Sequence, residues 1–367
     1  RRCFLRRMAL VCCPLYAPGA ARARKETRGR LNHGRRSTRM PPNGEAGILE
    51  AGGMEEDRLS RAAGWIAVLA IGVLAVLFAA HRIFDFDVLW HLKTGMWILD
   101  QGRVPWTDPF GGITAGEAWL DVAWGWQVAA ALAVRLWGLT GLQLLTVAMV
   151  LATLLLFAAR APRTPLVLAS MLLFVLVCGQ RFLVRPDLLA LPLTLAAVVL
   201  LDRIGSGSRT ALAGLALLSV FWGNVHGSFI LVPILIAAAA LGSLRRAAPA
   251  AVLRTHGSAL GIFFLGSLLN PYTFRIYRLF TPYFRSLLAS VGLLPSAEYL
   301  GVAEWTPTWR AALFDPIFPT LAFLLFLLVS VVSFLRAAGG IPFSRVLSTA
   351  ALAVLALAAV RNLLPFG

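Results

Sequence analysis

The sequence predicts an all-α fold, a polytopic helical membrane protein with about 9 to 10 spans, because a bilayer crossing takes roughly 20 apolar residues and such runs recur along the chain. Three observations carry this. Hydrophobic residues make up 59% of the 367 positions and charged residues only 14%; the mean hydropathy is +0.77; and a backbone inside lipid must satisfy its own polar groups, which an apolar run of this length does by coiling into a helix. The candidate spans are 62–80, 140–159, 165–179, 187–202, 210–223, 229–243, 255–269, 314–335 and 347–363.

From the N-terminus, residues 1–53 are set apart from the rest. They hold twelve Lys or Arg against three Glu, a balance of +9 within a chain total of +17. The segment has no apolar period and crowds Arg with Gly, Pro and Ala, so it reads as a disordered or spurious basic extension, with the working domain over 54–367 starting at Met40 or Met54. Because the charge is concentrated in this extension, no nucleic-acid partner is expected. Cys3, Cys12 and Cys13 fall in the same segment and leave only Cys178, inside a span, so no disulfide framework is expected.

Orientation follows from where Arg falls between spans. Arg58 and Arg61 precede the first span; Arg160 and Arg163, Arg203 and Arg209, Arg245, Arg246 and Arg254, and Arg336 and Arg345 mark alternate loops. Those loops face the cytoplasm. The segments around 81–137, 181–186, 224–228 and 270–313 then share the outer face. This alternation requires that 122–137 not cross, and it is read as an interfacial or re-entrant helix: Glu117 and Asp121 precede it, Gln127 and Arg135 interrupt it, and its Trp residues suit a headgroup boundary.

The first outer loop, 81–137, carries seven of the eleven Trp and six of the eleven acids found after residue 57. A helix is expected from Asp87 to Gln101, with an acid in its first turn and Gly102 beyond its last. Turns follow at Gly102-Arg103-Val104-Pro105 and Asp108-Pro109-Phe110-Gly111-Gly112, so the loop reads as two interfacial helices joined by an ordered connection.

Four constellations lie on that face. Asp87, Trp90 and His91 occur at i, i+3 and i+4 and share one helix face, with Asp85 just before it; an Asp with a His one turn on could serve as general base and orienting partner, and equally as a helix cap with a local ion pair. Arg181 and Arg185, in Arg181-Phe182-Leu183-Val184-Arg185-Pro186-Asp187, run against the inward bias of basic residues and suit a phosphate through forked hydrogen bonds; as structural groups they would snorkel at a span end with Asp187 as partner. Asn224 and His226, in Trp222-Gly223-Asn224-Val225-His226-Gly227-Ser228, can donate to sugar hydroxyls or phosphate oxygens where a plain turn would need only Gly and Asn. Asn270-Pro271-Tyr272, with Arg275, Tyr277, Arg278, Tyr283 and Arg285 and then Glu298, Glu304, Trp305 and Trp309, offers a basic stripe for lipid phosphates.

No phosphate-binding loop, dinucleotide glycine fingerprint, nucleophile elbow or zinc-binding His-Glu-x-x-His helix is present. No metal site is expected and no cofactor is certain; a divalent cation on Asp85 and Asp87 is compatible with carboxylate chemistry, although two oxygen donors do not make an all-protein site.

Phe84-Asp85-Phe86-Asp87, Leu89-Trp90-His91-Leu92, Thr94-Gly95, Gly102-Arg103-Val104-Pro105 and Asp108-Pro109-Phe110 together resemble the first outer loop of bacterial GT-C glycosyltransferases, the group of protein mannosyltransferases and aminoarabinose transferases. The segments at 181–187, 224–228 and 270–272 come in a similar order, so the resemblance covers roughly 62–310. It implies a multi-pass enzyme of the bacterial inner membrane with its site facing the periplasm or exterior. It implies a polyprenyl-phosphate-linked sugar as donor, a lipid, glycan or protein acceptor, and direct displacement with inversion. Asp87 or Asp85 would be the base, with His91 beside it; Arg181 and Arg185, with His226 and Arg275, would hold the donor phosphate; Trp90, Asn224 and Tyr272 would line the substrate. The chain ends at Gly367, without the further spans or soluble outer domain of better-known members. Two other classes stay open: a transporter or flippase of lipid-linked glycans, which would want polar groups at mid-membrane, and a non-catalytic scaffold, which would leave the carboxylate pair unexplained.

Overall fold

The computed structural model describes residues 43–83, 85–112, 114–161 and 163–281, together with 284, 285, 288, 324, 325, 327–332, 335 and 343–358; residues 43–57, 180, 357 and 358 are described as backbone only. The extension before 43, Glu298, Glu304, Trp305, Trp309 and most of the span expected at 314–335 lie outside the described residues.

Helices dominate, and the described residues contain no strand beyond an isolated antiparallel bridge between Thr107 and Ala118. In order they are α1 (Asn43–Ala79), α2 (Asp87–Gln101), α3 (Trp124–Trp137), α4 (Leu139–Arg160), α5 (Pro165–Cys178), α6 (Ala190–Gly205), α7 (Arg209–Val225), α8 (Leu231–Ser243), α9 (Pro249–Ser267) and α10 (Phe343–Ala358). Helix α1 runs through the boundary expected at 53/54.

Local chemistry explains most of the ends. Helix α2 begins at Asp87 and stops at Gly102, whose φ of 65° permits the left-handed turn that brings its N–H to Ile98 O at 2.9 Å. Helix α5 opens on Pro165 with the Thr164 hydroxyl accepting from Val167 N, and α7 opens with Ser208 accepting from Ala211 N. Helix α3 ends at Trp137, and Gly138 separates it from α4.

Helix α1 packs on α4 and α5, α3 on α2, α4 and α7, and α9 on α7 and α8, while α10 covers α8. Buried positions on α1, Val68, Ile71, Ala75 and Ala79, recur every three or four residues and form one stripe against the bundle. The opposite face leaves Ile66, Leu69, Val73 and Leu77 exposed, each more than half so, and Leu217, Leu253 and Leu265 repeat this elsewhere. Exposed apolar surface on this scale marks contact with something other than water. Among the described residues, three helices are long and apolar enough to cross a membrane, Arg58–Ala79, Leu139–Arg160 and Pro186–Gly205; four shorter apolar helices accompany them.

The connections sort to two ends of the bundle. At one end Gln143 donates to His81 O, Arg185 meets Asp85, and Asn224 donates to Leu269 O. At the other, the Arg163 guanidinium stacks over Trp65 at 4.3 Å, Arg345 bonds Asp202 at 2.7 Å, and Arg245 lies over Phe343 at 4.4 Å. Arg163, Arg245 and Arg345, from three of the Arg clusters that set the expected orientation, therefore lie away from the acids of 81–121.

Candidate functional site

Asp85 sits where the chain leaves α1 and turns into α2. Its Oδ1 accepts the amide of Asp87 at 3.1 Å, a local turn that orders both acids. Arg185, 100 positions further on, closes on the pair: Nε bonds Asp85 Oδ2, Nη2 bonds Asp85 Oδ1 at 2.8 Å, and Nη2 also lies 3.0 Å from Asp87 Oδ2. The flat guanidinium thus forks onto Asp85 and reaches Asp87 from its edge. The consequences for the two acids differ. The Asp85 side chain is 8% exposed and both its oxygens are taken, whereas Asp87 is 51% exposed. Burial acts to raise the pKa of Asp85, but the bond from Arg185, the Asp87 amide and the charges of Arg185 and His91 together hold it below the usual carboxylate value.

The local partnership expected between Asp87 and His91 is not what forms, since the carboxylate turns to Arg185 and the His91 ring turns inward. His91 is buried, its Nδ1 3.1 Å from Gln127 Nε2, with the Trp126 ring edge-on at 5.2 Å and Trp90 at 3.8 Å. Gln127 Nε2 also donates to Asp121 Oδ1 at 3.0 Å, and the same oxygen accepts Ala123 N at 3.1 Å. Burial foremost, and then the charges of His226 and Arg185, push the imidazole down to about 3; Asp85 opposes this. Burial pushes the Asp121 carboxyl the other way, up to about 6, against the bonds from Ala123 and Gln127.

This junction depends on one missing side chain. A Cβ added at Gly95 would lie 2.1 Å from Gln127 O and 3.0 Å from Ala131 Cβ, so only Gly lets α2 and α3 approach closely enough to join His91 to Gln127.

His226 ends α7 and caps the short 3₁₀ turn Gly227–Ile230: its Nδ1 accepts Ser228 N at 3.2 Å and meets Ser228 Oγ at 2.6 Å, and that hydroxyl accepts Trp222 Nε1 at 2.9 Å. It stands close enough to His91 to bear on that ring's protonation, which sets 226 beside the cluster of Asp85, Asp87 and Arg185.

The remaining expected residues are placed as follows. Arg181 bonds Asp187 at 3.2 Å, both largely buried, so the two arginines are held by separate carboxylates. Asn224 uses its amide on Trp124 Nε1, Val220 O and Leu269 O, tying α7 to the start of α3 and the end of α9. Tyr272 is 2% exposed and its hydroxyl donates to Pro105 O at 2.8 Å, pinning the turn after α2. Arg275 is exposed with its guanidinium 5.1 Å over the Trp106 ring. It shares a 3₁₀ segment, Thr273–Leu279, with Arg278, a geometry in which residues three apart eclipse and the basic stripe straightens. Trp90 is 39% exposed beside His91, with Trp119 at 6.0 Å.

Gln127 and Asp121 are the site's neighbours that the sequence reading took only as marks of an interfacial helix. Their signal was an amide on an otherwise apolar helix face, six residues after an acid that precedes the helix. Among the described residues no group of His, Cys, Asp and Glu is arranged to hold a metal ion. Comparison with known proteins returned no match: no family model, no curated protein and no solved structure matches this chain.

Proposed function

We propose that the protein is a membrane-embedded glycosyltransferase that moves a hexosyl or pentosyl unit from a polyprenyl-phosphate donor to an acceptor at the outer face of a bacterial inner membrane. The observation that carries this is the meeting of Asp85, Asp87 and Arg185 at the end of the bundle opposite the Arg clusters. In this reading the bundle crosses the bilayer many times, and α2 and α3 lie at the outer interface.

Asp87 is the base: it is the acid with an open face, while Asp85 holds Arg185 in place. The acceptor hydroxyl oxygen attacks the anomeric carbon from the side opposite the phosphate, its proton passes to Asp87, and the bond between that carbon and the phosphate oxygen breaks with the electron pair leaving on phosphate. Asp85, Asp87 and Asp187 against Arg181 and Arg185 make the empty cluster balanced to within one charge. An arriving phosphate competes with the carboxylates for Arg185. That competition draws the guanidinium from Asp87 and frees it when substrate is present.

The test supplies the purified chain in lipid with a radiolabelled polyprenyl-phosphate sugar. Asp87→Asn is expected to lower transfer by roughly 10²- to 10⁴-fold, the span for a lost general base, and Asp85→Asn by less. If neither substitution slows donor consumption in an active preparation, the assignment is lost. Lipid flipping that persists in both, without transfer by any form, favours the transporter.

A further inference from the structure

We propose that the outward side of the 3₁₀ segment Thr273–Leu279 binds one anionic phospholipid of the surrounding membrane, with its phosphate held between Arg275 and Arg278 and a chain lying on the exposed leucines of α9. The inference stands apart from the proposed reaction, since it needs neither donor nor acceptor.

The segment is fastened on one side and presented on the other. Tyr272 and Ile276 are buried, the Tyr272 hydroxyl donates to Pro105 O at 2.8 Å, and the Tyr277 hydroxyl donates to Phe264 O at 2.8 Å. Asn270 sets the entry, accepting Tyr272 N at 2.7 Å and donating to Ser267 O at 2.5 Å. The outward side carries Phe274, more than half exposed, and then Arg275 and Arg278, both exposed. With three residues per turn and a rise of about 2.0 Å per residue, the two arginines stand in one column roughly 6 Å apart. That spacing lets two flat, forked donors close on a single phosphate.

Both charges are open to a ligand. Among the described residues no ion pair engages Arg275 or Arg278, and the sequence from 203 to 297 holds no Asp or Glu. The Trp106 ring, 5.1 Å from the Arg275 guanidinium, supports that group without neutralising it. Asp108, the acid nearest Trp106 in sequence, has its oxygens taken by Phe110 N at 2.9 Å and the Thr114 hydroxyl at 2.6 Å. Two cations with no paired acid favour a headgroup of net negative charge over a zwitterion, whose own ammonium they would repel.

The apolar neighbours decide that the phosphate belongs to a lipid. Leu265 and Leu269, one turn apart where the chain leaves α9, are each more than half exposed, and Leu253 continues the stripe. The other face of α9, with Val252, His256, Ala259 and Phe263, is buried in the bundle. A soluble phosphate gains nothing from the exposed stripe, whereas a lipid covers it with a chain as its headgroup meets the arginines. Trp106, itself exposed, suits the boundary between the two.

The test is native mass spectrometry of the full chain released from detergent, titrated with dioleoyl phosphatidylglycerol or dioleoyl phosphatidylcholine. Expected is a first phosphatidylglycerol bound in preference to phosphatidylcholine, a comparison that needs no variant. Arg275→Gln combined with Arg278→Gln is expected to weaken that binding roughly 30-fold, each arginine near a lipid phosphate being worth about fivefold. Leu269→Ser is expected to weaken it with both arginines intact. Arg209→Gln combined with Arg246→Gln removes equal charge from exposed positions elsewhere and is expected to leave it unchanged. Equal affinity for the two lipids, unchanged binding in either test variant, or an equal loss in the control pair overturns the proposal. Glycerol phosphate, which has the phosphate without the chains, is expected not to displace phosphatidylglycerol; displacement makes this a free-phosphate site and overturns the lipid assignment. Displacement by equimolar undecaprenyl phosphate gives the surface to a polyprenyl lipid and overturns it equally.

Discussion

Asp121 and His91 are linked through Gln127 and titrate in opposite senses, which makes the pH dependence of stability a sharp test of the buried junction. The folded-state value of Asp121 is raised from 3.8 to about 6, so the folded protein keeps a proton that the unfolded chain has lost. Its contribution is fully present below pH 3.8 and is lost as pH rises through about 6. His91 is lowered from 6.5 to about 3, so its contribution is present above pH 6.5 and is lost as pH falls toward about 3. One proton of difference is a slope of about 1.4 kcal/mol per pH unit. Across the shared window, about pH 4 to 6, the two slopes oppose and nearly cancel in the wild type. Asp121→Asn removes one of them, and stability relative to wild type is expected to fall by roughly 3 kcal/mol on acidification across that window. His91→Gln removes the other, and the relative change should be of similar size and opposite sign. The assay is equilibrium unfolding in mixed detergent micelles followed by tryptophan fluorescence, read as differences between variants so that the titration of Asp85 and other shared groups drops out. Parallel pH profiles for wild type and Asp121→Asn would refute the argument that this carboxyl is buried and ionises late.

Two further outcomes follow from the packing. Gly95→Ala places a methyl 2.1 Å from Gln127 O, so α2 and α3 must separate; a loss of about 1–3 kcal/mol is expected, checked by the same unfolding assay. In the proposed orientation, Cys introduced at Ser206 and at Ala115, both exposed, in a chain without its N-terminal cysteines, is labelled by a membrane-impermeant thiol reagent from opposite sides; labelling of both from one side contradicts the orientation.

Where an element begins and ends was legible residue by residue. The α2 boundaries follow from an acid at the start and Gly102 past the end, and the spans read at 140–159, 165–179 and 210–223 match α4, α5 and α7 to within two residues. Capping and apolar burial act over one or two turns, so a local window of sequence contains the groups that decide them. The grouping of Asp85, Arg185 and His226 was legible more coarsely, as loops assigned to one side by the placement of Arg. Which group each would hold was not. Asp87 and His91 share a helix face by spacing, yet each finds a better partner from a distant element, because a guanidinium and a buried amide satisfy them more fully than the turn below can. Asn224 and Tyr272, which the resemblance sets beside the substrate, have hydrogen-bonding groups that tie helices and turns together.

By itself the sequence determined the helical class, the abundance of apolar helices, the segregation of basic residues between loops and the acidic, Trp-rich character of 81–137, all consequences of composition and short-range periodicity. Tertiary structure alone decided that Arg185 closes on Asp85 and Asp87, that Asp87 keeps the open face, and that Gln127 reaches His91 across a gap which only Gly95 leaves. The physical reason is range: these contacts join groups from elements far apart in sequence, and how closely the elements approach is set jointly by residues on both, as by Gly95 against Gln127 and Ala131, which no local window of sequence contains.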